Sequence, residues 1–357
     1  MSVMSERIVM AMSGGVDSSV AAALLKDAGY DVFGVFIKAW EDTSDISAAC
    51  PWEEDQKMVG EVCTALGIPW ETWNFEQEYR EHVLEYFFRE YENGRTPNPD
   101  VLCNKEIKFG IFLDRAVKEG FTRMATGHYA RISTDEQGVH LLRGIDANKD
   151  QSYFLSQLTQ DQLKRTEFPV GEYTKPQIRE LAKKYRLPNA QRKDSQGICF
   201  IGNISLRNFL KQRIVQKPGR IVTTDGKDVG GHEGLAHYTI GQRKGIGIGG
   251  GEPWYIVRKD IKQNTVVVAK GADEQLYARN LHVTHAHWIG IIPPLPVACT
   301  AKIRYRQPDQ KCTVRAAENG IDVLFENSQR AMTPGQSLVL YSGDEVFGGG
   351  VIEHAWQ

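Results

Sequence analysis

The 357-residue chain lacks any apolar run that approaches the roughly 18–20 residues of a membrane-spanning helix. Its first residues, MSVMSERIVMAM, also lack a long apolar stretch behind a basic start, which argues against a secretory signal. We therefore expect a cytoplasmic protein with no membrane partner.

Cysteine patterns that hold metals or build disulfide frameworks are missing as well. The six cysteines lie at positions 50, 63, 103, 199, 299 and 312, and no CxxC pair occurs. Their spacing matches neither a zinc ribbon nor a small secreted domain. In a reducing compartment, a functional cysteine of this chain would act as a reactive thiol.

The chain also has no large excess of charge of either sign. Its 43 Lys and Arg residues nearly balance 45 Asp and Glu residues, for a net charge of −2. This balance excludes a histone-like polycation, so a nucleic-acid partner would need a local basic patch. With 41% hydrophobic and 25% charged residues, the chain has the composition of an ordinary globular protein and not of a disordered one.

Strand and helix patterns alternate over the first 130 residues. Buried-strand patterns at residues 7–12 and 31–38 flank an alanine- and leucine-rich helix pattern at 18–27. This alternation predicts an α/β domain whose parallel sheet is covered by helices on both faces. Ligands of such sheets bind beyond the carboxyl ends of the strands, near a topological switch point.

The pattern changes after residue 200. Residues 205–215 predict a helix, the stretch to about residue 270 is rich in glycine, and short strands dominate from about residue 273. The short strands predict a small β-barrel. We expect an adenine-nucleotide-binding parallel-sheet domain at residues 1–204, a small mixed central domain at 205–272 and a C-terminal β-barrel domain at 273–357.

The most informative local motif is the hexapeptide SGGVDS, which runs from Ser13 to Ser18 between the first strand and the first helix. Its glycines let the backbone approach a ligand closely, and the N–H groups at a helix start attract an anion. Asp17 is expected to cap the helix or to hold Mg²⁺. No lysine follows the second glycine, which excludes the Walker pattern. The alternative interpretation is an ordinary glycine turn.

This loop resembles the SGGxDS loop of the adenylating ATP pyrophosphatases, which cleave ATP to an adenylated intermediate and pyrophosphate. The resemblance implies ATP with its Mg²⁺ as cofactor. Ile37 and Gly127 are expected at the carboxyl edge of the sheet, where an adenosine would lie. Strand packing explains Ile37 nearly as well. The residues predicted to bind ATP are Ala11, Met12, Ser13, Gly14, Gly15, Val16, Asp17, Ser18, Ile37 and Gly127.

Two cysteines stand in unusual sequence surroundings. Pro97 and Pro99 predict a non-helical approach to Cys103, and Asn104 is a suitable N-cap for a helix that follows. A thiol just before a helix N-terminus should have a lowered pKa, which favours reactivity. An unreactive capping cysteine is the alternative. The Ile-Cys-Phe-Ile run around Cys199 by itself favours a buried strand. Four cysteines are interpreted as core or structural: Cys50, Cys63, Cys299 and Cys312.

The whole chain resembles the tRNA-specific 2-thiouridylase family. The blocks that carry the resemblance occur in the family's order: SGGVDS, TPNPDVLCNKEIKFG, ATGHYAR, KDQSYFL, DSQGICFIG, GQRKGIGIGG and TPGQ…GGGVIE. The family replaces the C2 oxygen of the wobble uridine with sulfur. One departure is Gln196, where threonine is frequent, and it leaves the chemistry of the cysteine blocks intact.

The resemblance implies roles for particular residues. Cys199 would carry sulfur as a persulfide received from a donor protein. Cys103 would attack that persulfide to release sulfide, or assist the transfer, leaving a Cys103–Cys199 disulfide for reduction. Asp100 would act as general acid and base, and its alternative role is to cap the turn after Pro99.

The implied partner is tRNA, bound through its anticodon with the target base out of its stack. Basic runs at residues 207–220 and 302–315 each contain five Lys or Arg, whereas residues 41–92 contain 14 acidic and three basic residues and should face away from phosphate. The tRNA contacts implied by the resemblance are Asn98, Pro99, Asp100, His128, Lys149, Asp150, Gln151, Arg304, Tyr305 and Gln336.

Other interpretations compete with this one. His282, His285 and His287 lack a carboxylate companion in sequence, and strand alternation puts only two of them on one face. We therefore expect solvated or hydrogen-bonded histidines and no metal site. An amide-forming synthetase would use the same loop with ammonia, but it gives no reason for two cysteines. A tRNA-binding protein without catalysis would not need the intact loop.

Overall fold

In the computed structural model, residues 5–40, 52–194, 205–249 and 251–357 are described. The first domain contains a five-stranded parallel sheet in the order β3-β2-β1-β4-β7. Its strands are β1 (Arg7–Met12), β2 (Asp31–Lys38), β3 (Trp70–Asn74), β4 (Arg123–Ala125) and β7 (Thr166–Glu167). The central strand is apolar and fully buried at Ile8, Val9 and Met10, because helices cover both faces. The predicted parallel sheet is confirmed.

Helices connect and cover these strands. They are α1 (Val16–Asp27), α2 (Trp52–Leu66), α3 (Glu76–Tyr79), α4 (Glu85–Glu92), α5 (Pro99–Leu102), α6 (Phe112–Lys118), α7 (Gln160–Lys164) and α8 (Lys175–Lys184), with π-helical turns at Arg80–Leu84 and Cys103–Ile111 and a 3₁₀ turn at Ser152–Leu155. The π-helical turns join their neighbours, so residues 76–92 and 99–118 each form one continuous helix. None of the helices in the described residues is long and apolar enough to cross a bilayer.

The helix at residues 99–118 corrects the sequence-based prediction for Cys103. Asn98 is the N-cap, since its Oδ1 accepts a hydrogen bond from the Val101 N–H at 3.3 Å. Pro99 takes the first helical position, where its missing N–H costs nothing and its fixed φ suits the helix. The prolines therefore start the helix instead of preventing it. Cys103 lies inside the helix, and Asn104 is not its N-cap.

The segment after β4 also differs from the prediction of one strand at 123–130. β4 ends at Ala125, so Gly127 lies beyond the strand and not within it. The chain then reverses as a hairpin of β5 (Ala130–Asp135) and β6 (Gly138–Arg143). The strand breaks because residues 126–129 pass close to the first turn of α1, as the geometry of Gly127 shows below.

The central domain is small and mixed, as predicted. α9 (Leu206–Lys211) precedes a four-stranded sheet in the order β10-β11-β8-β9. Its strands are β8 (Gly219–Thr223), β9 (Asp228–His232), β10 (Trp254–Asp260) and β11 (Thr265–Lys270), with 3₁₀ turns at Leu235–His237 and, after the sheet, Glu274–Leu276. Only the β11–β8 pair is parallel.

The C-terminal domain is a closed six-stranded antiparallel barrel, which confirms the predicted fold. Its strands are β12 (Tyr277–Trp288), β13 (Val297–Lys302), β14 (Gln310–Ala317), β15 (Gly320–Arg330), β16 (Ser337–Ser342) and β17 (Glu345–Trp356). The barrel closes because β12 pairs with both β15 and β17. Inward-facing apolar residues such as Val283, Val314 and Phe325 fill its interior.

The barrel is joined to the first domain through its sheet. β17 pairs with β6 at Glu345–Leu142 and Val346–Leu141, so the β5–β6 hairpin extends the barrel sheet. One hydrophobic core also includes residues from all three domains, among them Val9, Phe209 and Val339. These shared contacts fix the barrel against the parallel sheet.

Cys63, which the sequence assigned to the core, and Cys299 and Cys312, which it assigned to structural roles, all pack in hydrophobic clusters. Cys63 is fully buried in α2, and burial raises the pKa of its thiol to about 12. Cys299 and Cys312 lie directly opposite each other on β13 and β14, with their sulfur atoms 3.6 Å apart. Cys312 is 4% exposed and belongs to the barrel core.

The packing of Cys63 generates a prediction. A Cβ at Gly34 on β2 would lie 2.9 Å from Cys63 Sγ and 3.3 Å from Trp70 Cβ. Gly34→Ala should therefore lower the free energy of unfolding, and Cys63→Ala should relieve part of the clash. In urea unfolding, we expect the double variant to be more stable than the sum of the single effects by about 0.5–3 kcal/mol. Strictly additive effects would contradict this packing.

Candidate active site

The SGGVDS loop lies where the sheet topology changes direction. It follows β1, which has β2 on one side and β4 on the other, so the loop occupies the switch point at the carboxyl edge. Gly15 is the N-cap of α1. Because glycine has no side chain, it cannot accept a capping hydrogen bond from the N–H groups of the first turn. The geometry suits an anion at this helix start.

Hydroxyl groups hold the loop in its curled conformation. The Ser13 N–H donates to Ser18 Oγ at 3.2 Å, and the Gly15 N–H donates to Ser13 Oγ at 3.3 Å. Ser18 and Ser19 both donate to the Gly15 carbonyl, at 3.1 and 2.9 Å. The two serines of the motif, together with Ser19, thus shape the loop.

Gly14 is the one position in the loop where only glycine fits. Its φ is +71°, and a Cβ would lie 2.8 Å from the Asp55 carbonyl oxygen. Its own carbonyl accepts hydrogen bonds from Asn189 Nδ2 at 2.9 Å and Arg192 Nη1 at 3.1 Å. Arg192 also pairs with the Asp55 carboxylate. Contacts with residues distant in sequence, Asp55, Asn189 and Arg192, therefore fix the position of Gly14.

Gly127 lies against the same helix start. A Cβ there would be 2.6 Å from Ser18 N and 2.9 Å from Asp17 C, so no larger residue fits without displacing α1. Met12, Val16 and Ile37 are at most 4% exposed, and their side chains pack in the cores. The role of Ile37 in adenosine binding stays a prediction.

Asp17 is the centre of a charged cluster that the sequence did not reveal. Its Oδ1 accepts hydrogen bonds from Tyr129 Oη and from Lys175 Nζ, both at 2.7 Å. Lys175 Nζ also contacts Asp194 Oδ1 at 2.8 Å. Asp194 is paired in addition with Lys149 at 2.6 Å and Arg179 at 2.7 Å.

The electrostatics of this cluster follow from those contacts. Burial raises the pKa of Asp194, but hydrogen bonds from Lys149 and Lys175 outweigh it and lower the pKa to about 2. Burial and the charge of Asp17 raise the pKa of Tyr129, which therefore stays a hydrogen-bond donor. The only sequence signal for Lys175 is the capping box of Thr174 and Gln177, which marks a helix start and no function.

Cys103 is fully buried in the second turn of the helix that Asn98 begins. Asp100 precedes it by three residues, which places the two side chains on the same face of the helix. The Asn104 amide nitrogen donates to the Phe154 carbonyl at 3.1 Å and fixes the turn that holds the thiol. Cys199, Cys50 and Gln196 lie outside the described residues.

Residues 126–129 contact both the loop and the cysteine helix. Gly127 and Tyr129 contact α1, while the His128 ring lies 5.8 Å from the Phe109 ring. Burial and the charge of Lys108 lower the pKa of His128 well below its usual range, so the imidazole is neutral at pH 7. Its Nδ1 is 2.8 Å from Thr126 Oγ1.

Several of the predicted tRNA-binding residues line the boundary between the first domain and the barrel. Gln336 Nε2 donates to the Thr96 carbonyl at 2.8 Å, next to the Asn98 helix start. The ring centroids of Tyr305 and Phe154 are 4.4 Å apart. Tyr305 Oη reaches the Lys149 carbonyl at 3.4 Å, and Lys149 Nζ contacts Asp194. Lys149 thus connects this boundary with the charged cluster.

Other predicted tRNA contacts have structural partners. Asp150 Oδ1 accepts hydrogen bonds from the Gly144 and Ser152 N–H groups at 3.2 and 3.1 Å. Gln151 Oε1 accepts from the Tyr129 N–H at 3.0 Å. Arg304 donates to the Ala331 carbonyl at 2.7 Å, and burial lowers its pKa. These side chains order the loops of the boundary, whether or not they also contact RNA.

Three of the five basic residues in the run at 207–220 are paired with acidic residues, although all five are exposed. Arg207 and Lys211 both contact Glu233, at 2.6 and 3.1 Å, and Arg213 contacts Glu85 at 2.5 Å. Because both acids come from other elements, the sequence window contained no sign of them. The run at 302–315 retains more unpaired charge, although Lys302 lies 3.7 Å from Asp309.

The barrel histidines make hydrogen bonds. His282 Nδ1 lies 2.8 Å from Asp322 Oδ1, and His287 Nε2 lies 2.7 Å from the Leu158 carbonyl. Over the ranges that the structure describes, no group of three or more His, Cys, Asp or Glu side chains is arranged to hold a metal ion.

Three family models match the chain. A tRNA methyl transferase HUP domain matches residues 6–203, a tRNA methyl transferase PRC-barrel domain matches 207–270, and an aminomethyltransferase β-barrel domain matches 278–352. Together, the models match well over half of the chain.

Solved structures with similarity to the chain include three of low identity. NMN synthetase from Francisella tularensis is 15% identical over 59% of this chain and 79% of its own, with a TM-score of 0.35. A 4-thiouridine synthetase in complex with RNA and ATP is 15% identical over 58% of this chain and 50% of its own, with a TM-score of 0.34. A predicted tRNA methyltransferase subunit from Methanocaldococcus jannaschii is 13% identical over 62% of this chain and 82% of its own, with a TM-score of 0.25.

Proposed function

Because the chain belongs to the tRNA methyl transferase family of HUP, PRC-barrel and β-barrel domains, a family of tRNA-thiouridylase type, we propose that it thiolates the wobble uridine of tRNA at C2 at the expense of ATP. One observation carries the proposal. Residues 126–129 contact both the glycine loop, through Gly127 and Tyr129, and the helix that bears Cys103, through His128.

Although the matching family models are described as domains of methyl transferases or of an aminomethyltransferase, the residues of this chain favour sulfur chemistry. The uridine C2 carbonyl is a poor electrophile, and its oxygen is a poor leaving group. Adenylation solves both problems: the C2 oxygen attacks the α-phosphorus of ATP, pyrophosphate leaves, and AMP becomes the later leaving group. Methyl transfer would need neither this loop nor a buried thiol.

The nucleotide site of the proposal is the glycine loop together with the start of α1. That helix start favours negative charge, and its N-cap residue, Gly15, provides no side-chain cap. When bound with the nucleotide, Mg²⁺ would neutralise phosphate charge, and Asp17 is the carboxylate of the loop that would hold it. Tyr129 and Lys175 orient that carboxylate through Oδ1.

The sulfur step of the proposal uses two cysteines. The Cys103 thiolate attacks Cys199 Sγ of the persulfide, so a Cys103–Cys199 disulfide forms and hydrosulfide leaves. Hydrosulfide then attacks C2 of the adenylated uridine, and AMP departs. An external thiol reduces the disulfide. Asp100, on the helix face of Cys103, would accept the thiol proton. Since Cys103 is fully buried, it must become accessible during each cycle.

The nucleotide step is tested by Gly14→Ala. The added Cβ clashes with the Asp55 carbonyl and strains a φ of +71°, so tRNA-dependent pyrophosphate release should fall at least about tenfold, while tRNA binding persists. Gly120→Ala is the matched control, because Gly120 also has a positive φ (+85°) but no atom within 4 Å of its Cβ. Pyrophosphate release at the normal rate by Gly14→Ala would count against this site.

The sulfur step is tested by following ³⁵S from a persulfide donor to the protein and to tRNA. Cys199→Ser should carry no labelled persulfide but still release pyrophosphate. Cys103→Ser should accept the label at residue 199 and transfer almost none to tRNA. Cys63→Ala is the control and should thiolate normally, since that thiol lies in a helix-packing core. Full thiolation by either serine variant would refute the two-cysteine mechanism.

A further inference from the structure

The glycine loop has a deficit of positive charge for the ligand assigned to it. The residues SGGVDS contain no cation, and their one charged side chain, Asp17, repels phosphate. Helix N–H groups supply only partial charges. Apart from the Mg²⁺ that would accompany the nucleotide, a full positive charge for a triphosphate at this loop must come from elsewhere in the chain.

Lys175 is placed to supply that charge. It comes from the first turn of α8, 158 residues from Asp17 in sequence, and its Nζ lies 2.7 Å from Asp17 Oδ1. The Thr174–Gln177 capping box and the hydrogen bond from the Lys175 N–H to Asp146 Oδ2 (2.8 Å) fix its backbone. Its side chain is 13% exposed, so it is held against the loop and not extended into solvent.

We propose that Lys175 is a phosphate-binding residue of this site and supplies the lysine that the loop itself lacks. The proposal rests on the ATP site of the preceding section. Lys175 Nζ bridges Asp17 and Asp194, and it exchanges one of these carboxylates for a phosphate oxygen when ATP enters. Lysine suits this exchange because its ammonium is a point charge on a flexible stem.

The surrounding contacts keep the free-energy cost of this exchange low. Asp194 keeps Lys149 and Arg179 as partners, at 2.6 and 2.7 Å, after Lys175 turns away. Asp17 keeps the hydrogen bond from Tyr129 Oη at 2.7 Å. Neither carboxylate is left without a partner. The exchange therefore avoids the large cost of breaking a buried ion pair, which leaves one buried charge uncompensated.

The test compares ATP and adenosine binding by equilibrium dialysis in Lys175→Met, Lys175→Arg and the wild type. A charge-assisted contact is worth about 1.5–3 kcal/mol, so Lys175→Met should weaken ATP binding about ten- to hundredfold. Lys175→Arg should retain part of the affinity, and adenosine affinity should be equal in all three proteins. Lys183→Met, on the same helix and paired only with Glu180 among its described contacts, is the control and should bind ATP normally.

A structural role for Lys175 predicts a different result. If the lysine only holds the cluster together, Lys175→Met should weaken ATP and adenosine equally or weaken neither, and either outcome overturns the proposal. Wild-type protein that binds no ATP would overturn the nucleotide site and the proposal together, whereas normal ATP binding by Lys175→Met overturns the proposal alone.

A second measurement on the wild type avoids any folding defect of the variant. A small amine-acylating reagent is applied with ATP, with adenosine or with neither, and Lys175 modification is quantified by peptide mass spectrometry. ATP should protect Lys175 and adenosine should not, while Lys183 should react equally under all three conditions. Equal modification of Lys175 with ATP and adenosine would overturn the proposal.

Discussion

The close approach of Gly127 to the first turn of α1 is the constraint on which the rest of the site depends. With only 2.6 Å between a Cβ at Gly127 and Ser18 N, the chain leaving β4 must pass directly over the glycine loop. That passage puts Tyr129 on Asp17 and His128 beside Phe109 of the cysteine helix. One glycine therefore brings the adenylation chemistry and the thiol chemistry of the proposal to the same segment.

The same passage determines how the barrel is attached. Residues 126–129 lead into the β5–β6 hairpin, whose second strand pairs with β17, so the barrel becomes an extension of the first domain. Tyr153 Oη on the Ser337 carbonyl at 2.7 Å and Gln336 on Thr96 complete the boundary. An RNA bound along this boundary would contact two domains in a fixed relation, with Lys149 joining them to the charged cluster.

Local sequence predicted those parts of the structure that local physics controls. The parallel sheet, α9 and the barrel strands follow from apolar periodicity, and the SGGVDS loop from its glycines between a strand and a helix. One failed prediction was local: the Asn98 N-cap and Pro99 at the first helical position are adjacent in sequence, but the prolines were interpreted as preventing a helix. The other failures involve partners that are distant in sequence, since Glu233 and Glu85 pair with the 207–220 run and Lys175 contacts Asp17 from 158 residues away. No window of sequence contains both members of these contacts.

The central claim is that the chain makes 2-thiouridine at the wobble position, and nucleoside mass spectrometry of tRNA tests it most directly. In cells from which the protein has been removed, wobble 2-thiouridine should disappear, and the wild-type chain should restore it while other modified nucleosides keep their levels. Unchanged wobble 2-thiouridine in those cells would contradict the account.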